Sequence, residues 1–275
     1  GPMGLVAGFT VGVITIVMLV TAKVFHEYPN QSWSGRMRML PKYRKYIDLA
    51  LSATFYNAAI WADKWVMWLA PEATTLPSGL TMNVPYDSAM FLAYLTVVPA
   101  LALFVFSVET NFYPHYLAYI RSLQGKCTGK EIQSFYNEMM RVMFNNTRNF
   151  ILLQGVVCVL VVLSASSIFD VLNLSFSYLT IFRLGVLGAF FHALAILLSV
   201  LTSYFEMRKQ ALAVNVFFFF ANGGLTYIFM QMGPEWYGYG YALASIVTFM
   251  LAGWLFLHTS KRLTWFIFML TAKGA

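Results

Sequence analysis

Positive charge in this chain is confined to alternate connections between long apolar runs. Of the eighteen lysines and arginines, all but Lys64 and Arg183 fall into four segments. Lys23, Arg36, Arg38, Lys42, Arg44 and Lys45 share the first; Arg121, Lys126, Lys130, Arg141 and Arg148 the second. Arg208 and Lys209 form the third, and Lys261, Arg262 and Lys273 close the tail. The connections around Pro71–Asp87, Phe169–Ser177 and Gln231–Gly238 hold no cation; their only charges are Glu72, Asp87, Asp170 and Glu235. Loops rich in Lys and Arg stay cytoplasmic during insertion, so this alternation predicts an all-α polytopic membrane protein. A soluble protein has no reason to produce it. Charged residues are 11% of the chain, about half the usual share of a soluble domain. The net charge of +7 is the cytoplasmic bias facing an anionic leaflet and does not indicate a nucleic-acid partner.

A hydrocarbon core of about 30 Å needs roughly 20 helical residues. Seven runs qualify, near 4–25, 46–70, 88–112, 147–168, 178–204, 209–231 and 239–260. Seven transmembrane helices place the N-terminus of the chain outside and its C-terminus in the cytoplasm. The residues before Lys23 carry no charge and no signal peptide precedes them, so the parity predicts missing N-terminal helices upstream. Gly4, Gly8 and Gly12 recur at the spacing that lets helices approach closely. Pro99 and Pro114 interrupt or end the third run.

Two cytoplasmic stretches look like more than connectors. The linker 26–45 is basic and interleaved with Trp33, Met37, Met39 and Tyr43, which suits an interfacial segment on lipid headgroups. Its Arg36, Arg38 and Lys42 are candidate partner or lipid contacts. Thr128 and Glu131 stand at capping-box spacing and open an amphipathic helix over 128–146. Met139 and Met143 on its apolar face pack on the bundle or bilayer, or dock a cytoplasmic partner. The stretch 261–275 is read as a cytoplasmic tail.

Ionisable groups inside a span cost roughly 2.5–3.5 kcal/mol each at the bilayer centre, so each needs a reason. Lys64 lies about 24 Å along the second run, within reach of the outer interface, and Trp61, Trp65 and Trp68 flank it as an aromatic belt. Snorkelling is therefore one reading of Lys64. Asp63 is not expected to pair with Lys64, because adjacent helical residues point about 100° apart. Arg183, at similar depth in the fifth run, is the expected partner. Asn57, Gln154, His192 and Asn222 lie deep in their spans, either tying helices together or lining a hydrated path. Glu109 reads as an interfacial carboxylate or a gate. No loop carries a nucleophile with its base, a phosphate loop or paired catalytic carboxylates, so no enzyme activity and no cofactor are expected. Cys127 and Cys158 and the four histidines have no metal-ligand spacing, so no metal is expected either. The run 239–260 lacks the lysine a retinal protein would need.

The run from Tyr56 to Trp65, closing at Trp68 and Pro71, resembles part of the Pel exopolysaccharide exporter family, PelG. The stretches Pro85-Tyr86-Asp87, Phe91 to Leu95, Pro99 to Ala102, Val108 to Phe112 and Tyr237 to Gly240 extend the likeness in order. The resemblance implies membership of the multidrug/oligosaccharidyl-lipid/polysaccharide (MOP) flippase superfamily, built from two six-helix bundles. On that basis 1–25 would be the last helix of a first bundle, 26–45 the interbundle linker and 46–260 the second bundle. It further implies export of an amino-sugar-rich polysaccharide across the bacterial inner membrane by alternating access, in company with a cytoplasmic glycosyltransferase and other inner-membrane subunits. The expected substrate path runs past Asn57, Trp61, Asp63, Lys64, Glu109, Arg183 and Asn222. A membrane scaffold that recruits the glycosyltransferase is the other reading.

Overall fold

The computed structural model describes residues 2–27, 44, 46–125, 127–205 and 207–260. The linker residues Arg36, Arg38 and Lys42 and the tail 261–275 lie outside the described residues. The chain divides into two compact units, Gly1–Ile47 and Asp48–Ala275. The first contains α1 (Pro2–Glu27), a helix of 26 residues whose proline stands at its first position, where no helical N–H is needed.

The helix α2 (Ile47–Met67), in the second unit from its second residue onward, leads to a two-stranded hairpin, β1 (Thr74–Thr75) and β2 (Thr81–Met82), turned by Gly79 at φ +82°. The third apolar run is longer and more broken than its hydropathy suggested. It comprises α3 (Val84–Leu95), α4 (Val98–Ser107), a π-helical turn at Val108–Phe112, and α5 (Tyr113–Gln124). Proline explains both breaks. Pro99 cannot donate to, and crowds, the carbonyl four residues earlier, and the helix parts at Thr96 and Val97. Pro114 makes the same demand on Thr110, and the widened π turn just before it relieves the clash. Asn146 Nδ2 donates to the Ser107 carbonyl at 3.4 Å, at the start of that turn.

Beyond the loop comes α6 (Gly129–Leu163), one continuous helix of 35 residues, about 52 Å at 1.5 Å per residue. The capping box forms as expected, with Glu131 accepting from the Thr128 N–H at 2.7 Å. The separate amphipathic helix over 128–146 and span over 147–168 do not form as two elements. Nothing between Asn145 and Arg148 breaks a helix, so they merge. Met139 and Met143 are almost completely buried within the unit, so of their two readings they follow packing on the bundle, and they are not part of a partner or lipid surface. Tyr119 on α5 meets Tyr136 on α6 with ring centroids 5.7 Å apart, so this apolar stripe is already covered.

The short α7 (Ala165–Val171) and a left-handed Asn173 turn the chain into α8 (Leu179–Tyr204). Then follow α9 (Arg208–Gln231) and α10 (Tyr239–Ser260). The central helix is α8, which packs on α3, α6, α9 and α10. Small residues permit the tightest approaches. A Cβ on Gly185 would stand 2.9 Å from Ala93 Cβ, and one on Gly240 would overlap the Thr226 backbone.

Among the described residues, six helical stretches are long and apolar enough to cross a membrane: Ala7–Glu27, Val84–Gln124, Gly129–Leu163, Phe176–Tyr204, Arg208–Gln231 and Pro234–His258. The fold is an all-α polytopic membrane protein. The expected seventh span corresponds to α2, whose 21 residues reach about 31 Å but are less apolar, because Asn57, Asp63 and Lys64 fall within them. The long helix of the second unit that falls short of a spanning apolar stretch is thus the one that carries the buried Asp63 and Lys64.

Candidate functional site

Asparagines bind α2 to α9. Asn215 Nδ2 donates to Ser52 Oγ at 2.8 Å, and Asn222 Nδ2 donates to the Ala59 carbonyl at 2.9 Å. Both contacts share one sequence offset and are seven residues apart on each helix, or two turns, so α2 and α9 run parallel. That is the relation expected if each starts from a cation-rich connection on the same side. It also turns the Asp63 side of α2 inward.

Asp63 is fully buried and its carboxylate is saturated. Oδ2 accepts from Tyr86 Oη at 3.0 Å, and Oδ1 accepts from Asn222 Nδ2 at 3.2 Å. Lys64 Nζ donates to both oxygens, at 3.2 and 3.1 Å. The expectation that neighbouring residues could not pair is corrected here. The lysine stem curls back one turn, its ammonium donates to the Ile60 carbonyl at 3.0 Å, and this brings it beside the carboxylate. The Tyr94 ring covers the ammonium, with its centroid 4.6 Å away. Lys64 is 8% exposed, so it does not snorkel. Burying two charges is costly unless the pair is close and its remaining hydrogen-bonding positions are filled, and both conditions hold.

The local fold places Tyr86. Asn83 caps α3 by accepting from the Tyr86 N–H at 3.2 Å, and its Nδ2 donates to the Met67 carbonyl at the end of α2 at 3.3 Å. Asp87 Oδ2 accepts from Trp68 Nε1 at 3.0 Å and from the Asn83 N–H at 3.2 Å. The end of α2 and the start of α3 are thus clamped together, and Tyr86 is delivered to Asp63. Deeper in the unit, Tyr241 Oη lies 3.1 Å from His192 Nδ1, and the Tyr94 and Tyr241 ring centroids are 5.4 Å apart.

The other expected path residues are dispersed. Asn57 is exposed and donates to its own helix at the Ala53 carbonyl, 2.8 Å away, so it does not share the Lys64 side of α2. Trp61 and Trp65 are 50% and 45% exposed on α2. Glu109 is exposed on the π turn. Arg183 is exposed and makes no ion pair with Asp63, whose partners come from α2, α3 and α9 instead. The structure therefore gathers Asp63, Lys64 and Asn222 and separates them from Asn57, Trp61, Glu109 and Arg183. Tyr86, Tyr94, Tyr241 and Asn83 were not anticipated as parts of the site. Pro85-Tyr86-Asp87 stood out as a motif, but nothing local marks a tyrosine that must reach another helix.

Among the described residues, no three His, Cys, Asp or Glu side chains gather into a metal-binding group. Because its oxygens are occupied, Asp63 is a helix-tying anion in this state, not a free base or nucleophile.

Comparison with known proteins places this arrangement. Residues 1–268 match the family model PelG, "Putative exopolysaccharide Exporter (EPS-E)". No curated protein and no solved structure matches the chain. The family match covers both units and every helix described above, and the chain belongs to the PelG family of exopolysaccharide exporters.

Proposed function

We propose that the chain works in the bacterial inner membrane as part of an exporter that moves an amino-sugar-rich polysaccharide outward by alternating access. The observation that carries this reading is the division of α2 into two sides. One side is locked to α3 and α9 through Asp63, Tyr86 and Asn222. The other leaves Asn57, Trp61 and Trp65 exposed. An amide and two indole rings are the groups that hydrogen-bond sugar hydroxyls and stack on sugar faces, whereas the locked side lets α2 move with its neighbours as one body. Asp63 and Lys64 in this proposal hold the wall of the path instead of touching polymer. Glu109, on the π turn, is the carboxylate best placed to meet an amine-bearing sugar. The cation-rich connections face the cytoplasm, where a glycosyltransferase delivers the polymer, and the N-terminus of the chain faces outward.

The test is secretion. Combined Asn57→Ala and Trp61→Ala substitution in the exporter should sharply reduce extracellular polymer while membrane abundance stays at the wild-type level. Undiminished secretion from that variant would remove the exposed side of α2 from the path.

The length of α6 favours a second role. Its 35 residues exceed the roughly 20 needed to cross the hydrocarbon core, so the end bearing Glu138 and Arg141 reaches beyond the bilayer. That end and the linker at Arg36, Arg38 and Lys42 would recruit the glycosyltransferase. Charge reversal at Arg36, Arg38 and Lys42 should then abolish its co-purification, and unchanged co-purification would discard this role.

A further inference from the structure

A cleft of about 300 Å³ opens between two turns of the second unit, lined by Ser177, Thr180, Ile181, Pro234, Glu235 and Tyr237. One turn leads into α8 and the other joins α9 to α10. None of these residues belongs to the Asp63 cluster or to the exposed side of α2. The volume is at the lower end of the about 300–1,000 Å³ of small-molecule sites, so the cleft suits one small unit. Its walls are braced from behind. Gly233 and Gly238, at φ +110° and +93°, bend the second turn. A Cβ on Gly238 would stand 3.2 Å from Leu184 Cβ and 3.4 Å from Ile181 Cα, so this turn lies directly against the start of α8. The Trp236 ring stacks on Phe229 with centroids 5.8 Å apart, and Tyr237 Oη donates to Glu72 Oε2. In the first turn, Ser175 Oγ accepts from the Ser177 N–H at 3.4 Å and donates to Ser177 Oγ at 3.1 Å. Ser177 therefore keeps its own hydroxyl proton for another acceptor. Walls held in this way need little ordering when something binds.

Among the lining residues only Glu235 is ionised, and no described cation lies within ion-pair distance of it. Arg183, one turn along α8 from Thr180, is exposed and does not line the cleft. A single carboxylate among hydroxyls does not satisfy a hard divalent cation, since calcium takes about six to eight oxygen ligands. Among the described residues no metal-binding group gathers there either. The set matches an ammonium group carried on a hydroxylated ring. Glu235 accepts from the ammonium in a charge-assisted hydrogen bond, while Ser177 and Thr180 meet the ring hydroxyls. We propose that the cleft is an outward-facing binding site for one amine-bearing sugar of the exported polymer, with Glu235 as its counter-charge. The proposal rests on the export reading for its ligand and its sidedness, because both turns belong to the connections that hold no cation. Glu235 is exposed, so solvent screens the pair and the grip is weak, which suits a chain that must move on.

The test is binding to the purified exporter in phosphatidylcholine nanodiscs, which leave both faces accessible and carry no primary amine. The probe is a fluorescent glucosamine oligosaccharide. The same oligosaccharide in N-acetylated form and a galacturonic acid oligosaccharide are the neutral and acidic references. The glucosamine probe should bind more tightly than either. Glu235→Gln, which keeps the shape of the side chain, should weaken the probe by about fivefold, the upper range for an exposed ion pair, and leave the neutral reference unchanged. Thr180→Trp should fill the cleft and remove the part of the binding that depends on Glu235. Equal binding of the probe to wild type and Glu235→Gln would overturn the proposal, as would an acidic reference that binds as well as the probe. Equal weakening of probe and neutral reference would do the same. So would displacement of the probe when phosphatidylethanolamine replaces phosphatidylcholine, because the cleft would then hold a lipid headgroup. Binding is read without transport, whereas secretion by the Asn57 and Trp61 variant judges the export reading, so the two can fail independently.

Discussion

Replacing Asp63 by leucine should expose how strongly the buried pair holds α2 in place. The carboxylate accepts from Lys64, Tyr86 and Asn222, and no other described anion lies within ion-pair distance of the ammonium. After substitution Lys64 keeps only the Ile60 carbonyl and the Tyr94 face, while the Tyr86 hydroxyl loses its acceptor. Leaving one member of a buried ion pair unmatched costs about 3–5 kcal/mol. Lys64→Met should cost a similar amount, because it strands the carboxylate instead. The double variant removes both charges and fills the space with apolar atoms, an exchange that is often neutral or stabilising by about 1–4 kcal/mol. The assay is reversible unfolding of the purified protein in mixed micelles, run as a double-mutant cycle. A double variant that unfolds at least as late as the better single variant supports the pairing. Additive losses from the two substitutions would show that the side chains do not interact and would refute the geometry of the site.

Two further expectations concern packing and the tyrosine. Gly240→Ala should destabilise by about 1–3 kcal/mol or more, since its methyl group would overlap the Thr226 backbone. Gly224→Ala on α9, with nothing within 4 Å of the new atom, should be neutral or stabilising, and equal unfolding midpoints for the two would contradict the close approach of α9 and α10. Tyr86→Phe removes a hydrogen bond to a buried carboxylate and should cost about 1.5–3 kcal/mol in the same unfolding assay. A loss much below 1 kcal/mol would show that Asp63 does not depend on Tyr86.

The sequence by itself determined that this is an all-α polytopic membrane protein. Alternating cations, runs of about 20 apolar residues, Thr128 with Glu131, and the interruptions at Pro99 and Pro114 are local signals, each acting over a few turns. They sufficed for a polytopic helical protein and for most helix positions. The splitting of α6 near residue 146 came from reading a change of polarity as a break when no residue there stops a helix. What lay beyond the sequence was direction around each helix axis. In a soluble helix the apolar stripe shows which side is buried, but here both lipid and protein interior are apolar, and the stripe fades. Only the tertiary structure could turn Asp63 towards Asn222, 159 residues away, fold Lys64 back beside it, and leave Arg183 exposed. Those contacts join separate helices whose rotations are set by glycine approaches and asparagine hydrogen bonds, and no pattern within a single helix encodes them.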